Sequence, residues 1–532
     1  MNSHEISPNI IANAITKLNK HKKDEIYDLN TNNFIFGTPK LNTVLSKILK
    51  SMLLHGVCNV KFYKSIISPI PKNKRKSKNV SSNYRAISLN TIFSKILDHV
   101  LIGQLGESLL TSEMQFAYKA GQSITLCTFL VSESIQYYIN NGSHVYTLLM
   151  DASKAFDRVR YSKLFSLLKS RNICPLIMRM FLVLYLANTA IVKWNGRLSN
   201  KFKISNGVKQ GGVASSHLFS IYFDPLITAI RASRSGCHIG GMICNAFAYA
   251  DDLIILCPTI SSLKKIIIIC EVYGDAHDLL FNPDKSYLLI FECPTLKVPD
   301  GISVYICGDK IKIVQKEIHL GNTLSTVGNM ICMDKTINDI KSRTVSIVNN
   351  FKNISYKSKV MLFNSQCMAL YGSQLWDLTD DNINQLNITW RKSARYLLDL
   401  SPRTHSYVLP YLMTTCNIFD IIIERQMLFY LSVHNHKSEM VRNIFRNSLL
   451  VNSSYCVRNV NICIDKLNIS LEDLFLSTPR NVKAIIRRSY PPMDWRTGMM
   501  EELLNARDGT TNLGLSRAEI DVILNDICYE HG

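Results

Sequence analysis

The sequence predicts an α+β protein in which a region of mixed strands and helices is followed by a mainly helical region. Up to about residue 325, short apolar stretches typical of buried strands alternate with amphipathic stretches typical of helices. The alternation does not follow a strict strand–helix–strand repeat, which favours a sheet with helices packed on one face. Beyond about residue 325 the pattern becomes mostly helical.

The first part of the chain is predicted to be helical and to lead into a hairpin with a basic tip. Residues 1–60 have helical character, interrupted by polar residues at 28–33. Residues 66–89, IISPIPKNKRKSKNVSSNYRAISL, contain two apolar stretches on either side of NKRKSK. A charge run alone indicates only a solvated surface. Its position between two candidate strands predicts the tip of a hairpin.

The middle of the chain supplies the predicted central strands. HVYTLLMD is typical of a buried strand that ends on Asp151, and NAFAYADDLIILC is typical of two short strands around a tight turn. The predicted elements are a strand at 144–151, helices at 161–170, 217–232 and about 260–280, the paired strands at 245–257, a strand at 286–293, and helices at 335–351 and 382–400.

Composition indicates an intracellular protein with a polyanionic partner. The chain has 61 Lys and Arg against 41 Asp and Glu, a formal net charge of +20, which favours nucleic acid or an anionic membrane. The N-terminal residues lack the apolar core of a signal peptide. The apolar stretch 180–192 is too short to span a bilayer and is predicted to be a buried helix. The 15 cysteines are dispersed without a C-x2-C pair, as expected for reduced thiols.

Three aspartates at candidate strand ends point to metal-dependent phosphoryl chemistry. Asp151 ends one strand, and Asp251 and Asp252 lie in the predicted turn 100 residues later. Strands distant in sequence can be neighbours in a sheet, and carboxylates that meet there repel one another unless divalent cations lie between them. Two such ions roughly 3.5–4 Å apart stabilise the attacking and leaving oxygens of a phosphoryl transfer. The alternative is a solvated surface turn, but the apolar flanks argue against it.

Seven segments between residues 66 and 325 resemble, in family order, the motifs of reverse transcriptases from non-LTR (LINE-type) retrotransposons. The turn AFAYADDLIIL is similar to the family's catalytic hairpin, usually written Tyr/Phe-x-Asp-Asp. The other segments are SPIPKNKRKSKNVSSNYRAISL (68–89), QFAYKAGQSITLCTFLV (115–131), LLMDASKAFDRV (148–159), NGVKQGGVASSHLF (206–219), LLFNPDKSYLLIF (279–291) and IHLGNTLS (318–325). MALYGSQLWD (368–377) resembles the start of the family's thumb less specifically.

The resemblance implies a right-hand polymerase, with a palm built on an antiparallel sheet, fingers and a helical thumb. Applied to this sequence, it divides the chain into an N-terminal helical extension (1–60), fingers and palm (61–325), a thumb (326–410) and a C-terminal helical region of unknown role (411–532). The implied activity is RNA-directed DNA synthesis, in which a primer 3′-hydroxyl attacks a deoxynucleoside triphosphate.

Motif positions assign the site residues. Asp151, Asp251 and Asp252 become ligands of two Mg²⁺ ions, with Mn²⁺ as an alternative, and the resemblance makes Lys285 a candidate proton donor to the leaving pyrophosphate. The resemblance gives the remaining roles to Lys72 and Arg85 (grip on the triphosphate), Phe156 (a steric gate against the ribose 2′-hydroxyl), Gln210 and Gly211 (sugar and base of the incoming nucleotide) and Tyr249 (packing against the primer end).

Two departures from the family pattern keep other functions open. Ala86 stands where the fingers motif usually has proline, and residues 214–216 are Ala-Ser-Ser where Leu-Ser-Pro is common. Losing proline frees the backbone, so a catalytically decayed nucleic-acid-binding remnant is one alternative. An RNA-dependent RNA polymerase shares the palm, and Asp157 after Asp151 fits it too, but YADD and Phe156 favour deoxynucleotides. A group II intron maturase shares several motifs.

The resemblance also implies partners and a location. These are an RNA template, a DNA primer or target and deoxynucleotides, with no membrane. We expect no endonuclease in the first 65 residues, so a separate chain could supply one. Work on chromosomal DNA would place the protein in the nucleus at least transiently. His434, His436, Cys456 and Cys463, or Cys528 and His531, could in principle bind zinc, but their spacing fits no zinc motif and scattered residues are the favoured interpretation.

Overall fold

The N-terminal segment is helical, as predicted. The structure, a computed structural model, describes residues 6–73, 77–451, 454–488, 495–509, 513 and 515–529. The segment's helices are Pro8–Thr16, Asn32–Ile35 and Pro39–His55. The Ser7 hydroxyl accepts the N–H of Ile10 and so caps the first helix, and a proline occupies its first position. The third helix ends at Gly56, whose φ of 67° suits glycine.

A five-stranded sheet follows, and we call it the outer sheet. The predicted basic hairpin forms its first two strands, Lys64–Pro71 and Tyr84–Asn90, which pair antiparallel. Thr189–Trp194 pairs parallel to Lys64–Pro71, and the short strands Arg197–Leu198 and Phe202–Lys203 both pair with Thr189–Trp194.

The prediction of one buried helix over 180–192 was wrong in its second half. The helix Pro175–Leu186 ends before Asn188, and the chain then enters the outer sheet at Thr189. β-Branched residues are concentrated there, in Thr189, Ile191 and Val192, and such side chains favour a strand over a helix.

The second five-stranded sheet, which we call the central sheet, contains the predicted central strands. Its order is Ala246–Tyr249, Asp252–Cys257, Val145–Met150, Tyr287–Phe291 and Lys312–Ile313. The first four strands are antiparallel neighbours, as the right-hand polymerase prediction requires, and only the short edge strand Lys312–Ile313 runs parallel to its neighbour.

Helices pack against the central sheet, as the sequence suggested. All six residues of Val145–Met150 are buried, although alternate side chains of a strand point to opposite faces. The helices Ile124–Asn140, Val213–Ala232 and Ile260–His277 pack against its strands. Val213–Ala232 is the one helix of the described chain that is long and apolar enough to cross a membrane, and 67% of its apolar window is buried inside the protein.

Smaller elements surround the two sheets. A three-stranded sheet is formed by Lys316–His319, Asn322–Ser325 and Ile331–Cys332, and three two-stranded pairs are Ala152–Ser153 with Leu280–Phe281, Tyr305–Ile306 with Asp309–Lys310, and His238–Ile239 with Met242–Ile243. The remaining helices before residue 330 are Ile92–Leu105, Ala155–Arg158 and Tyr161–Ser170.

Beyond residue 333 the described chain is helical, as predicted. Two helices of this region, Glu439–Leu450 and Tyr455–Leu467, contact the helix Ile124–Asn140, which packs on the central sheet. The C-terminal helices are Asp334–Asn350, Tyr356–Cys367, Asp381–Leu398, Leu409–Leu412, Ile418–His434, Glu439–Leu450, Tyr455–Leu467, Leu471–Leu476, Pro479–Arg488, Trp495–Arg507 and Arg517–Tyr529. The domain boundaries at 60, 325 and 410 stay predictions.

Candidate active site

The three aspartates meet at one edge of the central sheet. Asp151 directly follows Met150, which pairs with Leu253 in the neighbouring strand. Asp252 opens that neighbouring strand and pairs with Tyr249 across the turn. The register therefore brings Asp151 beside Asp251 and Asp252, although 100 residues separate them in sequence.

A buried glutamine holds the turn between these strands. Of the two turn residues, Ala250 has a positive φ of 60°, a conformation that glycine adopts more readily. The Oε1 of Gln115 accepts the N–H of Ala250 at 3.0 Å, and its Nε2 donates to the carbonyl of Ala250 at 3.2 Å. Gln115 is fully buried. These two hydrogen bonds fix the turn that carries Asp251.

The segment 282–286 fixes Asp151 from the other side. The N–H of Asp151 donates to the Ser286 hydroxyl at 3.2 Å, and the N–H of Asn282 donates to the Asp151 carbonyl at 2.9 Å. Within the same segment, the Nζ of Lys285 lies 3.6 Å from the Oδ2 of Asp151. Lys285 therefore lies next to Asp151, and its side chain is largely exposed.

Desolvation, followed by the charges of neighbouring carboxylates, raises the pKa of two of the aspartates. For Asp252, desolvation in the cleft, then the charges of Asp251 and Asp151, raise the pKa to about 6. Asp252 is exposed by surface area, but protein atoms surround its carboxylate closely enough to replace much of its water. For Asp251, desolvation is again the largest cause of a raised pKa, Asp151 adds to it, and the charge of Arg85 opposes it.

Basic residues face the carboxylates. Arg85, from the outer sheet, is close enough to influence the pKa of Asp251. The pKa of Lys72 is lowered by desolvation and then by the neighbouring charges of Lys285, Arg85 and Lys154. The cleft thus has a negative side on the central sheet and a positive side around Lys72, and a polyphosphate bound with cations would be attracted to both.

Phe156, Gln210 and Gly211 lie where the segment around Asp157 meets the outer sheet. The half-buried ring of Phe156 stacks on Phe219, with centroids 4.4 Å apart and an angle of 13° between the rings. The Nε2 of Gln210 donates to Asp157 at 3.2 Å, and its carbonyl accepts the N–H of Ser88 in the outer sheet at 2.7 Å. Gly211 has a φ of 100°, and a Cβ there would lie 3.2 Å from the Ser88 carbonyl, so any other residue would be strained.

Tyr249 lies beside two other tyrosines. Its charge contributes to the raised pKa values of Tyr118 and Tyr371, whose main cause is desolvation. The hydroxyl of Tyr371 donates to the carbonyl of Leu320 at 2.8 Å, and a Cβ on Gly321 would lie 3.0 Å from the Tyr371 ring. An aromatic surface therefore borders the aspartate turn.

No ready-made metal cage exists in the described part of the chain. There, no group of three or more His, Cys, Asp or Glu side chains is arranged to hold an ion. The zinc candidates are dispersed: the His434 ring stacks on Phe475 at 4.1 Å, the Nε2 of His436 lies 3.3 Å from the Gly121 carbonyl, and Cys456 and Cys463 are buried. The side chain of Cys528 and all of His531 lie outside the described residues.

The carboxylates nevertheless suit a cation that a substrate helps to bind. The Oδ2 of Asp151 is buried and has no hydrogen-bond partner among the described residues. Mg²⁺ is usually held by one or two carboxylates together with substrate phosphates rather than by an all-protein cage. The donor set, three carboxylates at one sheet edge, is of the type that Mg²⁺ and Mn²⁺ prefer.

Sequence reasoning missed the residues that position the site. Gln115 and Ser286 were inside recognised segments, but no local pattern distinguishes a buried amide or hydroxyl that holds a turn from one that does not. Ala214, one of the departures from the family pattern, is the second residue of the helix Val213–Ala232, and Asp98 accepts its N–H at 3.4 Å. This contact offsets part of the backbone freedom that the missing proline would allow.

Sequence comparison finds a family match over part of the chain. Residues 70–319 match the family model described as reverse transcriptase (RNA-dependent DNA polymerase). The chain is 24% identical over 281 residues to the "Transposon TX1 uncharacterized 149 kDa protein" of Xenopus laevis. This match covers 52% of this chain and 21% of that protein. It is 23% identical over 253 residues to the Pol polyprotein of the type-1 element R2 from Nasonia vitripennis. That match covers 47% of this chain and 24% of that protein.

A third relative matches over a longer range. It is the "Probable RNA-directed DNA polymerase from transposon X-element" of Drosophila melanogaster, 23% identical over 408 residues, with 72% of this chain and 43% of that protein covered. The matches thus span between a fifth and somewhat under half of these relatives' lengths.

Among solved structures, apo telomerase from Candida Tropicalis aligns with 84% of this chain and 74% of its own, at 12% identity and a TM-score of 0.40. The family model and the named relatives agree on one assignment. Residues 70–319 therefore match a reverse transcriptase domain, and the relatives that this chain resembles are proteins of transposons and retrotransposable elements.

Proposed function

We propose that this chain is an RNA-directed DNA polymerase that adds deoxynucleotides to a primer 3′-hydroxyl. The main support is the meeting of Asp151 with Asp251 and Asp252 at one sheet edge, opposite Lys72 and Arg85. Carboxylates and cations facing each other across a cleft suit a triphosphate that arrives with divalent ions.

Two Mg²⁺ ions, or Mn²⁺, would be held by Asp151, Asp251 and Asp252. Divalent ions there supply charge neutralisation at the attacking and leaving oxygens. The raised pKa of Asp252 supports this proposal, because crowded carboxylates gain most from a nearby cation.

The protein's own residues position the reactants. Lys72 and Arg85 would bind the triphosphate through charge-assisted hydrogen bonds. Gly211 lets the substrate approach the backbone, and Gln210 lines the sugar and base. Phe156, supported from behind by Phe219, would exclude a ribose 2′-hydroxyl. Lys285 would give a proton to the leaving pyrophosphate, and Tyr249 would pack against the primer end.

The proposed partners are an RNA template, a DNA primer or target and deoxynucleoside triphosphates. A separate chain would provide any nicking activity, and work on chromosomal DNA would bring the protein to the nucleus at least transiently. The +20 formal charge supports nucleic-acid binding through the phosphate backbone.

Primer extension tests the proposal. Purified full-length chain is given an RNA template with an annealed DNA primer, deoxynucleotides and Mg²⁺. We expect extension, and we expect Asp251→Asn to reduce its rate roughly a hundredfold or more without weakening template–primer binding. Asp300→Asn, which changes an exposed carboxylate that pairs with Lys297, is the matched control.

Other outcomes identify the other candidates. Tight binding of the template–primer without extension by the unmutated protein would show a non-catalytic remnant. Extension with ribonucleotides in preference to deoxynucleotides would show an RNA polymerase. Release of a group II intron's spliced product in the presence of the protein would show a maturase.

A further inference from the structure

The outer sheet has a second face that points away from the aspartates. Side chains alternate between the two faces of a strand, so Tyr84 and Ala86 lie on the face opposite to Arg85. Directly paired residues share a face, and the register pairs Pro69 with Ala86 and Ile67 with Val192. This face, which we call the slot face, is therefore separate from the triphosphate side of the cleft.

A cavity of about 430 Å³ opens on the slot face. Its walls combine an apolar sheet surface with an exposed indole and a lysine. The lining includes Pro69, Lys78, Tyr84, Ala86, Val192 and Trp194. The rings of Tyr84 and Trp194 meet edge to face at 5.0 Å, which holds the indole at the side of the cavity.

Aromatic and cationic residues extend along the same face. Trp194 pairs with Arg197 and Ala190 pairs with Phe202, so all four residues lie on the slot face. Trp194 is 43% exposed and Phe202 is 42% exposed. Within the described residues, Arg197 and Lys78 have no carboxylate within 4 Å, and both are exposed. Exposed aromatic rings beside cations without a carboxylate partner can stack with the bases and bind the phosphates of a nucleic acid.

The surrounding sequence favours a polyanion. From residue 158 to residue 223 the chain contains no Asp or Glu. An acidic peptide would match the charge but would not need flat rings. Unpaired nucleobases stack on aromatic side chains, while phosphates bind nearby cations. A duplex would not fit, because its base faces are already stacked on one another.

We propose that the slot face binds single-stranded nucleic acid, with an unpaired base against Trp194 and the adjoining phosphates at Lys78 and Arg197. The site is distinct from the polymerase cleft and rests on the proposed function only for the class of ligand. The chemistry suits RNA and single-stranded DNA alike, so both are tested.

The test measures binding of the full-length chain to a fluorescent oligouridine and a fluorescent oligothymidine of about 12 nucleotides, within the usual size of such sites. We expect Trp194→Ala to weaken binding about five- to tenfold and Arg197→Glu to weaken it at least as much. Leu198→Ala and Lys203→Glu are the matched controls, because these residues belong to the same hairpin but lie on the opposite face. Cross-linking with an iodouridine-substituted oligonucleotide should modify the peptide that contains Trp194.

Equal losses in Arg197→Glu and Lys203→Glu would overturn the proposal, since they would show only non-specific attraction to charge. Unchanged affinity in a folded Trp194→Ala variant, with an unchanged melting temperature, would overturn it as well, as would stronger binding of a blunt duplex. Asp251→Asn should bind the oligonucleotides normally. Failure of this site and failure of the polymerase proposal are therefore distinguishable.

Discussion

The side-chain amide of Gln115 holds both backbone polar groups of Ala250. The amide oxygen of Gln115 accepts the N–H of Ala250 at 3.0 Å and the N–H of Ala117 at 3.1 Å, and the amide nitrogen donates to the carbonyl of Ala250 at 3.2 Å. Ala250 has a positive φ and directly precedes Asp251. A residue 135 positions away in sequence therefore sets the geometry of the aspartate turn.

We predict that Gln115→Leu slows primer extension more than its effect on folding explains. The substitution keeps much of the side-chain volume but leaves buried backbone groups of Ala250 without partners, which costs about 1–3 kcal/mol of folding stability. The turn should then shift and move Asp251. Extension rates are measured well below the melting temperature, with substrate at saturation.

Gln426→Leu is the control for that experiment. Gln426 is also fully buried, and its amide donates to the carbonyls of Ser373 and Trp376, in the helical region beyond the central sheet. We expect a comparable loss of stability with a nearly normal extension rate. Equal slowing in both variants would contradict a positioning role for Gln115.

Phe156→Ala should relax discrimination against ribonucleotides. If the ring stacked on Phe219 excludes the 2′-hydroxyl, its removal should raise the efficiency of ribonucleotide incorporation while lowering that of deoxynucleotides only modestly. The ratio of kcat/KM for the two substrates measures this. Phe165→Ala removes another half-buried phenylalanine, which packs against Tyr185, and should leave the ratio unchanged.

Lys285→Ala should slow the chemical step. Lys285 lies 3.6 Å from Asp151, so it can act as a proton donor or simply neutralise that carboxylate. Lys285→Arg keeps the charge but is a poor proton donor near neutral pH. A proton-donor role predicts slow extension in both variants, and recovery in Lys285→Arg would show neutralisation instead.

The raised pKa of Asp252 predicts a pH-dependent stability of the metal-free protein. Its folded-state pKa of about 6 lies above the ordinary value of 3.8, so the folded state binds this proton more tightly than the unfolded state does. The ionised carboxylate therefore destabilises the fold above pH 6 and has no such effect well below pH 4. Asp252→Asn should raise the melting temperature above pH 6, and the gain should vanish on acidification.

Protons and divalent cations should compete at the same carboxylates. Extension should fall as the pH drops through about 6, because protonated Asp252 is a poor ligand. Raising the Mg²⁺ concentration should move the midpoint to lower pH. A midpoint that does not respond to Mg²⁺ would assign the titration to another group.

Strands with strong local patterns were predictable, and elements set by distant contacts were not. The fully buried strand before Asp151, the hairpin strands around Ala250 and the helix with Pro225 all appear where the sequence placed them. The prediction of a single helix over 180–192 was wrong because a short apolar stretch is compatible with both a buried helix and a buried strand. The second half becomes a strand because it pairs with Lys64–Pro71, a segment more than 100 residues earlier in the sequence.

In the candidate site, too, some residues could be predicted from local sequence and others could not. Its charged and aromatic members could be read from the motifs, because the chemistry demands those residue types at fixed positions. The supporting groups, Gln115 and Ser286, act through hydrogen bonds to the backbone of other segments. Many polar residues could do so, and only the folded chain shows which ones do. The roles assigned to the motif residues stay predictions until the variants are measured.

Residues 126–136, in the helix Ile124–Asn140, are all buried, in part because the helices Glu439–Leu450 and Tyr455–Leu467 pack over them. A premature stop codon near position 410 would strip away this cover and expose apolar surface next to the strands that carry the aspartates. In a decaying genomic copy, a late truncating mutation should thus be as damaging as one in the aspartate turn itself.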